Sequence, residues 1–234
     1  MRSYVLVAGG WHGGWIWRGV ADRLRAAGHA VTTPTLSGLG DRRHVGRDAD
    51  LDTHIQDVIA HIEMEGLEGI TLVGWSYGGM VITGVLARIP DRIKAMIYMD
   101  AFVPENDKAL VDYLPPQLRA RWDRFRDEDR PIPPPSLEFF GITDPAHREL
   151  LSARLVDQPW RTFYQPVSGP ACWPDISIAY VHCSGERSHP SLLSGTTERM
   201  KADPRVQTDV IETGHFFMLS KPDDAIRMLD RYGS

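Results

Sequence analysis

The segment Gly74-Trp75-Ser76-Tyr77-Gly78 lies between the apolar run Ile70-Thr71-Leu72-Val73 and the helix-like segment Met80-Val81-Ile82-Thr83-Gly84-Val85-Leu86. The order predicts a strand, a tight turn and a helix, with Ser76 at the apex. A serine there is held in a strained backbone conformation that lifts its hydroxyl clear of the sheet, and glycine two residues to either side lets neighbouring chains pass closely. Such a hydroxyl is a candidate nucleophile. It needs a base, an acid to orient that base, and hydrogen-bond donors for an oxyanion.

Of nine histidines, His215 lies in a turn just past a predicted strand, in Glu212-Thr213-Gly214-His215, at the edge where Ser76 should emerge. Its imidazole can accept and return a proton near neutral pH. His29, His54, His61, His147, His182 and His189 read as surface or structural residues; His12, in the glycine-rich stretch Gly9 to Gly14, is open to either reading. Two acids fall at the same edge. Asp100 ends the strand Ile93 to Met99, and Glu186 follows the next one within Cys183-Ser184-Gly185-Glu186-Arg187. An aspartate ending an apolar strand would be buried, at a cost unless a cation such as imidazolium faces it. Glu186 beside Arg187 has an ordinary solvated partner, which favours Asp100. The residue after the nucleophile, Tyr77, supplies one backbone donor, and the loop Ala8-Gly9-Gly10-Trp11-His12-Gly13-Gly14 can aim another.

The elements that must position these groups alternate. Tyr4 to Val7 reads as a strand, Val20, Leu24 and Ala27 recur at helical spacing before Gly28, and His29 to Thr33 reads as a second strand. A helix with Ile55, Val58, Ile59 and Ile62 on its apolar face follows, capped by Asp52 or Thr53 and stopped at Gly66. Ile176 to His182 and Val206 to Ile211 read as later strands, with helices from Ser191 to Ala202 and from Pro222. Alternation of this kind implies right-handed crossovers and a mostly parallel sheet covered by helices on both faces, an α/β fold with ligands at the C-terminal strand edge. Residues 104–169, broken by prolines and an arginine-rich stretch, read as an inserted cap; residues 1–103 and 170–234 form the core.

Composition narrows the function. The chain has 234 residues and a formal net charge of -5, which suits one domain. Its densest basic cluster, Arg119, Arg121, Arg124 and Arg126, is interleaved with Asp123, Asp127 and Glu128, so it reads as a solvated helix face with no nucleic-acid partner. Two cysteines, Cys172 and Cys183, are too few for a disulfide scaffold and form no Cys-x-x-Cys pair. The absence of a long apolar run or a basic-then-apolar start leads to the expectation of a cytoplasmic protein away from membranes, a monomer or homodimer.

With Ser76, His215 and the glycine-rich loop in this order, the sequence resembles the α/β-hydrolase superfamily over nearly its whole length. Gly9-Gly10-Trp11-His12-Gly13-Gly14-Trp15, Thr35-Leu36-Ser37-Gly38-Leu39-Gly40 and Asp100-Ala101-Phe102-Val103-Pro104 look like a bacterial esterase group similar to plant methyl esterases and hydroxynitrile lyases. The resemblance implies Ser76 as nucleophile, His215 as base, and the amides of Gly10 and Tyr77 as oxyanion donors. Superfamily members carry the acid at either the Asp100 or the Glu186 position, so the likeness leaves both available. Ala8 stands where histidine is usual, and Trp75 where histidine often precedes the nucleophile. Hydroxynitrile lyases of this type place lysine after the catalytic histidine; Phe216 here cannot stabilise a departing anion.

The expected function is a cofactor-free, metal-free serine hydrolase cleaving a small, largely apolar carboxylic ester or carbamate through an acyl-enzyme. Trp11, Phe102 and Phe216 are expected to line its pocket, with Trp75 and the cap aromatics Trp122, Phe139, Phe140, Trp160 and Phe163 adding apolar surface. The alternatives are a non-hydrolytic enzyme of the same fold, a lyase or a cofactor-independent oxygenase, and a small-molecule receptor with a vestigial triad.

Overall fold

A computed structural model describes residues 1–171, 173–185 and 192–233. Six strands, β1 (Ser3–Val7), β2 (Ala30–Thr32), β3 (Ile70–Ser76), β4 (Ile93–Ala101), β5 (Ser177–Cys183) and β6 (Val206–Ile211), form one sheet in the order β2-β1-β3-β4-β5-β6. Every pairing is parallel. The central strands are buried on both faces, which explains why they read as continuous apolar runs.

Alternate residues supply two cores. Val5, Val7 and Leu72 point to the face covered by α2 (Leu51–Met64) and α3 (Gly78–Arg88), while Tyr4, Leu6, Val73 and Trp75 face α1 (Arg18–Ala26) and the C-terminal helix Pro222–Tyr232. Gly28 (φ 88°) and Gly66 (φ 60°) follow the ends of α1 and α2 in the left-handed region, as their helix-stop role requires. The cap of α2 lies earlier than the spacing suggested. Asp50 accepts the Thr53 amide at 2.8 Å and Thr53 accepts the Asp50 amide at 3.4 Å, a reciprocal box that starts the helix at Leu51, whose side chain is buried.

Between β4 and β5 the chain leaves the sheet. It forms a single-turn 3-10 helix (Leu110–Tyr113), α4 (Pro116–Asp127), α5 (Pro145–Ser152) and α6 (Arg161–Tyr164), tied by isolated antiparallel bridges at Lys108–Val167 and Ile132–Gln158. Two arginines of α4 form surface ion pairs, Arg126 with Asp123 at 2.7 Å and Arg119 with Asp112 at 2.8 Å. The chain then continues through β5, α7 (Ser194–Ala202), β6, α8 (Phe217–Ser220) and α9 (Pro222–Tyr232). Among the described residues no helix is long and apolar enough to cross a membrane.

Candidate active site

Ser76 ends β3 with φ 56°, and α3 begins two residues later at Gly78. A non-glycine residue in the left-handed region is held there by its surroundings. The turn is too tight for side chains at its flanks. A Cβ on Gly74 would lie 2.7 Å from the Gly78 carbonyl oxygen, and one on Gly78 would lie 2.8 Å from the Ala8 carbonyl oxygen.

The loop after β1 runs directly beside Ser76, since a Cβ on Gly9 would sit 2.8 Å from the serine Cβ. Trp11 in this loop has φ 65°. His12 is buried beside it, and its Nδ1–H donates to the Gly10 carbonyl at 2.6 Å. Burial lowers the His12 pKa to about 3, so the ring is neutral and tied to the loop.

Asp100 is aimed by an irregularity in β4. Trp75 pairs with Met99 and Ser76 with Ala101, so Asp100 is the extra residue of a β-bulge, and its φ is 44°. Its carboxylate is buried. Oδ1 accepts the Cys183 amide at the end of β5 at 3.0 Å, and Oδ2 accepts Nδ1–H of His215 at 2.6 Å. With Nδ1 donating to the carboxylate, Nε2 of His215 is left as the basic nitrogen. The imidazole is further fixed by its neighbours: Trp75 donates its indole N–H to the His215 carbonyl at 3.0 Å, and the Phe140 ring lies nearly parallel to the histidine ring at 6.3 Å.

Ser76 and His215 border one cavity between the sheet edge and the 104–169 segment. Trp11, Tyr77 and Phe102 line it from the core side, and Leu114, Trp122 and Phe163 from the other. Trp122 and Phe163 stack at 5.1 Å. None of the described lining residues is Asp, Glu, Lys or Arg.

Several expectations change. Phe216 does not line this cavity: its ring is buried 5.1 Å from Trp75 and 5.1 Å from Phe140, in the core on the opposite face of the sheet, where it backs His215. Trp75 likewise packs in that core, and Trp160 lies outside the cavity with its indole N–H on Asp129 at 2.9 Å. Glu186 and His189 lie outside the described residues.

His54, read as a surface or structural residue, is a structural one and wholly buried. Its Nε2–H donates to the Ser37 carbonyl at 2.8 Å, which leaves Nδ1 to accept the Tyr77 hydroxyl at 2.9 Å. Burial lowers its pKa to about 4. The signal was present in the helical period, because His54 falls three residues after Leu51 and four before Val58 on the buried face of α2. Gln158, whose Oε1 accepts the Trp11 amide at 2.8 Å, left no such trace, being a lone polar residue in an irregular segment. Among the described residues no three His, Cys, Asp or Glu side chains group as a metal site would need.

A parallel sheet with a left-handed serine at the β3–α3 turn, beside a histidine–aspartate pair, defines a class. The sequence pattern of the Alpha/beta hydrolase family matches residues 4–228, and the chain belongs to that family. It is 42% identical over 181 residues to the carbendazim hydrolyzing esterase of Nocardioides sp. (strain SG-4G), covering 71% of this chain and 73% of that one. It is 25% identical to polyneuridine aldehyde esterase of Rauvolfia serpentina, over 97% of this chain and 94% of the relative. Among solved structures, an extracellular alpha/beta-hydrolase from a Paenibacillus species superposes with a TM-score of 0.85 at 22% identity, covering 100% of this chain and 99% of the other.

Proposed function

We propose that this chain is a serine hydrolase that cleaves small, largely apolar carboxylic esters, or the related carbamates, through an acyl-enzyme. The observation that carries the reading is the 2.6 Å contact between His215 Nδ1 and Asp100 Oδ2, on the cavity that Ser76 also borders. The esterase names of the two relatives support the same chemistry.

In this mechanism, His215 Nε2 takes the proton of Ser76 as the hydroxyl oxygen attacks the ester carbonyl. Asp100 holds the imidazole in the required tautomer and stabilises the imidazolium. The amides of Gly10 and Tyr77 donate to the tetrahedral oxyanion. The protonated His215 delivers its proton to the leaving alcohol as the ester bond breaks, and Ser76 carries the acyl group. Water, deprotonated by the same nitrogen, then attacks the acyl carbonyl, and the imidazolium returns that proton to Ser76 Oγ as the acyl–serine bond breaks and the acid leaves. The apolar lining of the cavity favours uncharged substrates, and the 104–169 segment acts as the cap that encloses them.

Mass spectrometry after exposure to an organophosphonate tests the nucleophile. One adduct on Ser76, absent from Ser76→Ala together with turnover of a small aryl ester, is the expected result. Repeated failure to label, or a Ser76→Ala protein that still turns over, overturns the proposal.

A further inference from the structure

Trp11 is bound to the cap by every polar group it has. Its backbone N–H donates to Gln158 Oε1 at 2.8 Å, its indole N–H donates to the Ile132 carbonyl at 2.9 Å, and its own carbonyl accepts the Val156 amide at 3.2 Å. These bonds hold a bulky residue in a left-handed conformation that it would not adopt alone. They also grip one peptide plane at both ends. The Gly10 carbonyl is held by His12 at 2.6 Å, and the N–H of the same peptide, on Trp11, is held by Gln158.

Gln158 is itself fully buried, and a buried carboxamide is stable only where its donors and acceptor are used. Its Nε2 donates to Thr162 Oγ1 at 2.7 Å, and the Thr162 hydroxyl donates to the Pro159 carbonyl at 2.6 Å. Its backbone exchanges two bonds with Ile132, at 2.9 Å and 2.8 Å, so the side chain projects from a fixed point. A buried polar chain therefore runs from the Gly10–Trp11 peptide through Gln158 and Thr162 to the Pro159 carbonyl.

We infer that Gln158 is a positioning residue of the oxyanion hole: from the cap, it fixes the peptide on the C-terminal side of the Gly10 Cα, and so narrows the range over which the Gly10 N–H, in the peptide before it, can turn. This rests on the reading of the Gly10 and Tyr77 amides as oxyanion donors. Without Oε1, the Trp11 N–H loses its acceptor, and the Gly10–Trp11 peptide is held at its carbonyl end alone, by His12. Oxyanion bonds strengthen only as charge develops on the substrate oxygen, so misdirecting one lowers the rate of the chemical step more than it weakens substrate binding.

Gln158→Leu removes both side-chain bonds while keeping most of the volume. Turnover of the ester should fall about 10- to 100-fold in kcat, with KM within about threefold of the parent enzyme. Affinity for a trifluoromethyl ketone, to which Ser76 adds to form a tetrahedral oxyanion, should fall with kcat. Affinity for the unreactive ether of the same shape should not. Gln158→Glu, with its buried carboxyl kept protonated by desolvation, can accept from Trp11 and donate to Thr162, and should restore most of the rate.

If Gln158→Leu does not fold, Thr162→Val frees the other end of the carboxamide and should give a smaller loss of the same kind. Wild-type kcat in the folded variants, or equal loss of affinity for the ketone and the ether, overturns the inference. Turnover by Ser76→Ala would instead overturn the acyl-enzyme reading, whatever Gln158 does.

Discussion

Asp100 is only 1% exposed, so its charge has to be met inside the protein. The Cys183 amide and the His215 ring meet it, one on each oxygen. Asp100→Asn keeps the shape but can present an N–H to Nδ1 and select the wrong tautomer. In the proposed mechanism it should lower kcat by about 10⁴-fold with the thermal melt little changed. A loss under tenfold in a folded variant would remove Asp100 from its role. His12 and His54 make a second prediction at this scale, because both are buried and neutral with pKa values of about 3 and about 4. As pH falls below about 6.5, the unfolded chain protonates these histidines while the folded chain does not. Their stabilisation is full above that pH and declines as pH drops towards 4 for His54 and 3 for His12, by about 1.4 kcal/mol per unit for each group. Urea unfolding at a series of pH values should show the decline, and His54→Gln should make it shallower. An unaltered slope in that variant would contradict the assignment.

At the scale of elements, the turn from β3 to α3 and the bulge of β4 have to fit each other. Phe102 donates its amide to the Ser76 carbonyl at 3.0 Å, and a Cβ on Gly79 would come 1.9 Å from the Phe102 carbonyl oxygen. Gly79→Ala must therefore push α3 away from the end of β4. Overpacking against backbone should cost about 3 kcal/mol. Gly19 is the control: it lies exposed in α1 with nothing within 4 Å of its missing Cβ, so Gly19→Ala should stabilise by about 0.5 kcal/mol. Thermal or denaturant melts of the two variants should move in opposite directions. The elements themselves were readable because their signals are local. Apolar runs, helical spacing and the stops at Gly28 and Gly66 depend on neighbours a few residues away. The start of α2 differs from the spacing because Asp50, Asp52 and Thr53 are all competent caps, and the buried side chain of Leu51 favours Asp50 among them.

Over the whole molecule, the cavity exists because two regions of chain meet. Trp11, Tyr77 and Phe102 face Leu114, Trp122 and Phe163 of the 104–169 segment across it. In the proposed function, a lining without Asp, Glu, Lys or Arg among the described residues sets a substrate preference that kinetics can read. In a series of aryl esters with lengthening acyl chains, each added methylene should raise kcat/KM by about fourfold until the cavity is full, the equivalent of about 0.8 kcal/mol. An ester of the same size carrying a carboxylate on its acyl chain should lose more than about 100-fold, since that charge would be desolvated without a partner. Equal rates for the two would show that the acyl group does not enter this cavity.

The strand–turn–helix around Ser76, the parallel α/β architecture and the candidacy of His215 follow from the order of residues along the chain, because backbone strain and hydrophobic periodicity act over a few positions. The aim of each side chain does not. Asp100 reaches a histidine 115 residues away only because a bulge turns it, and Phe216 sits behind His215 because it packs on Trp75 in the core on the α1 and α9 face of the sheet. The Trp11 amide meets Gln158 across 147 residues. Contacts at such separations are set by how layers pack and by which buried polar groups must find a partner, and only the folded chain decides that.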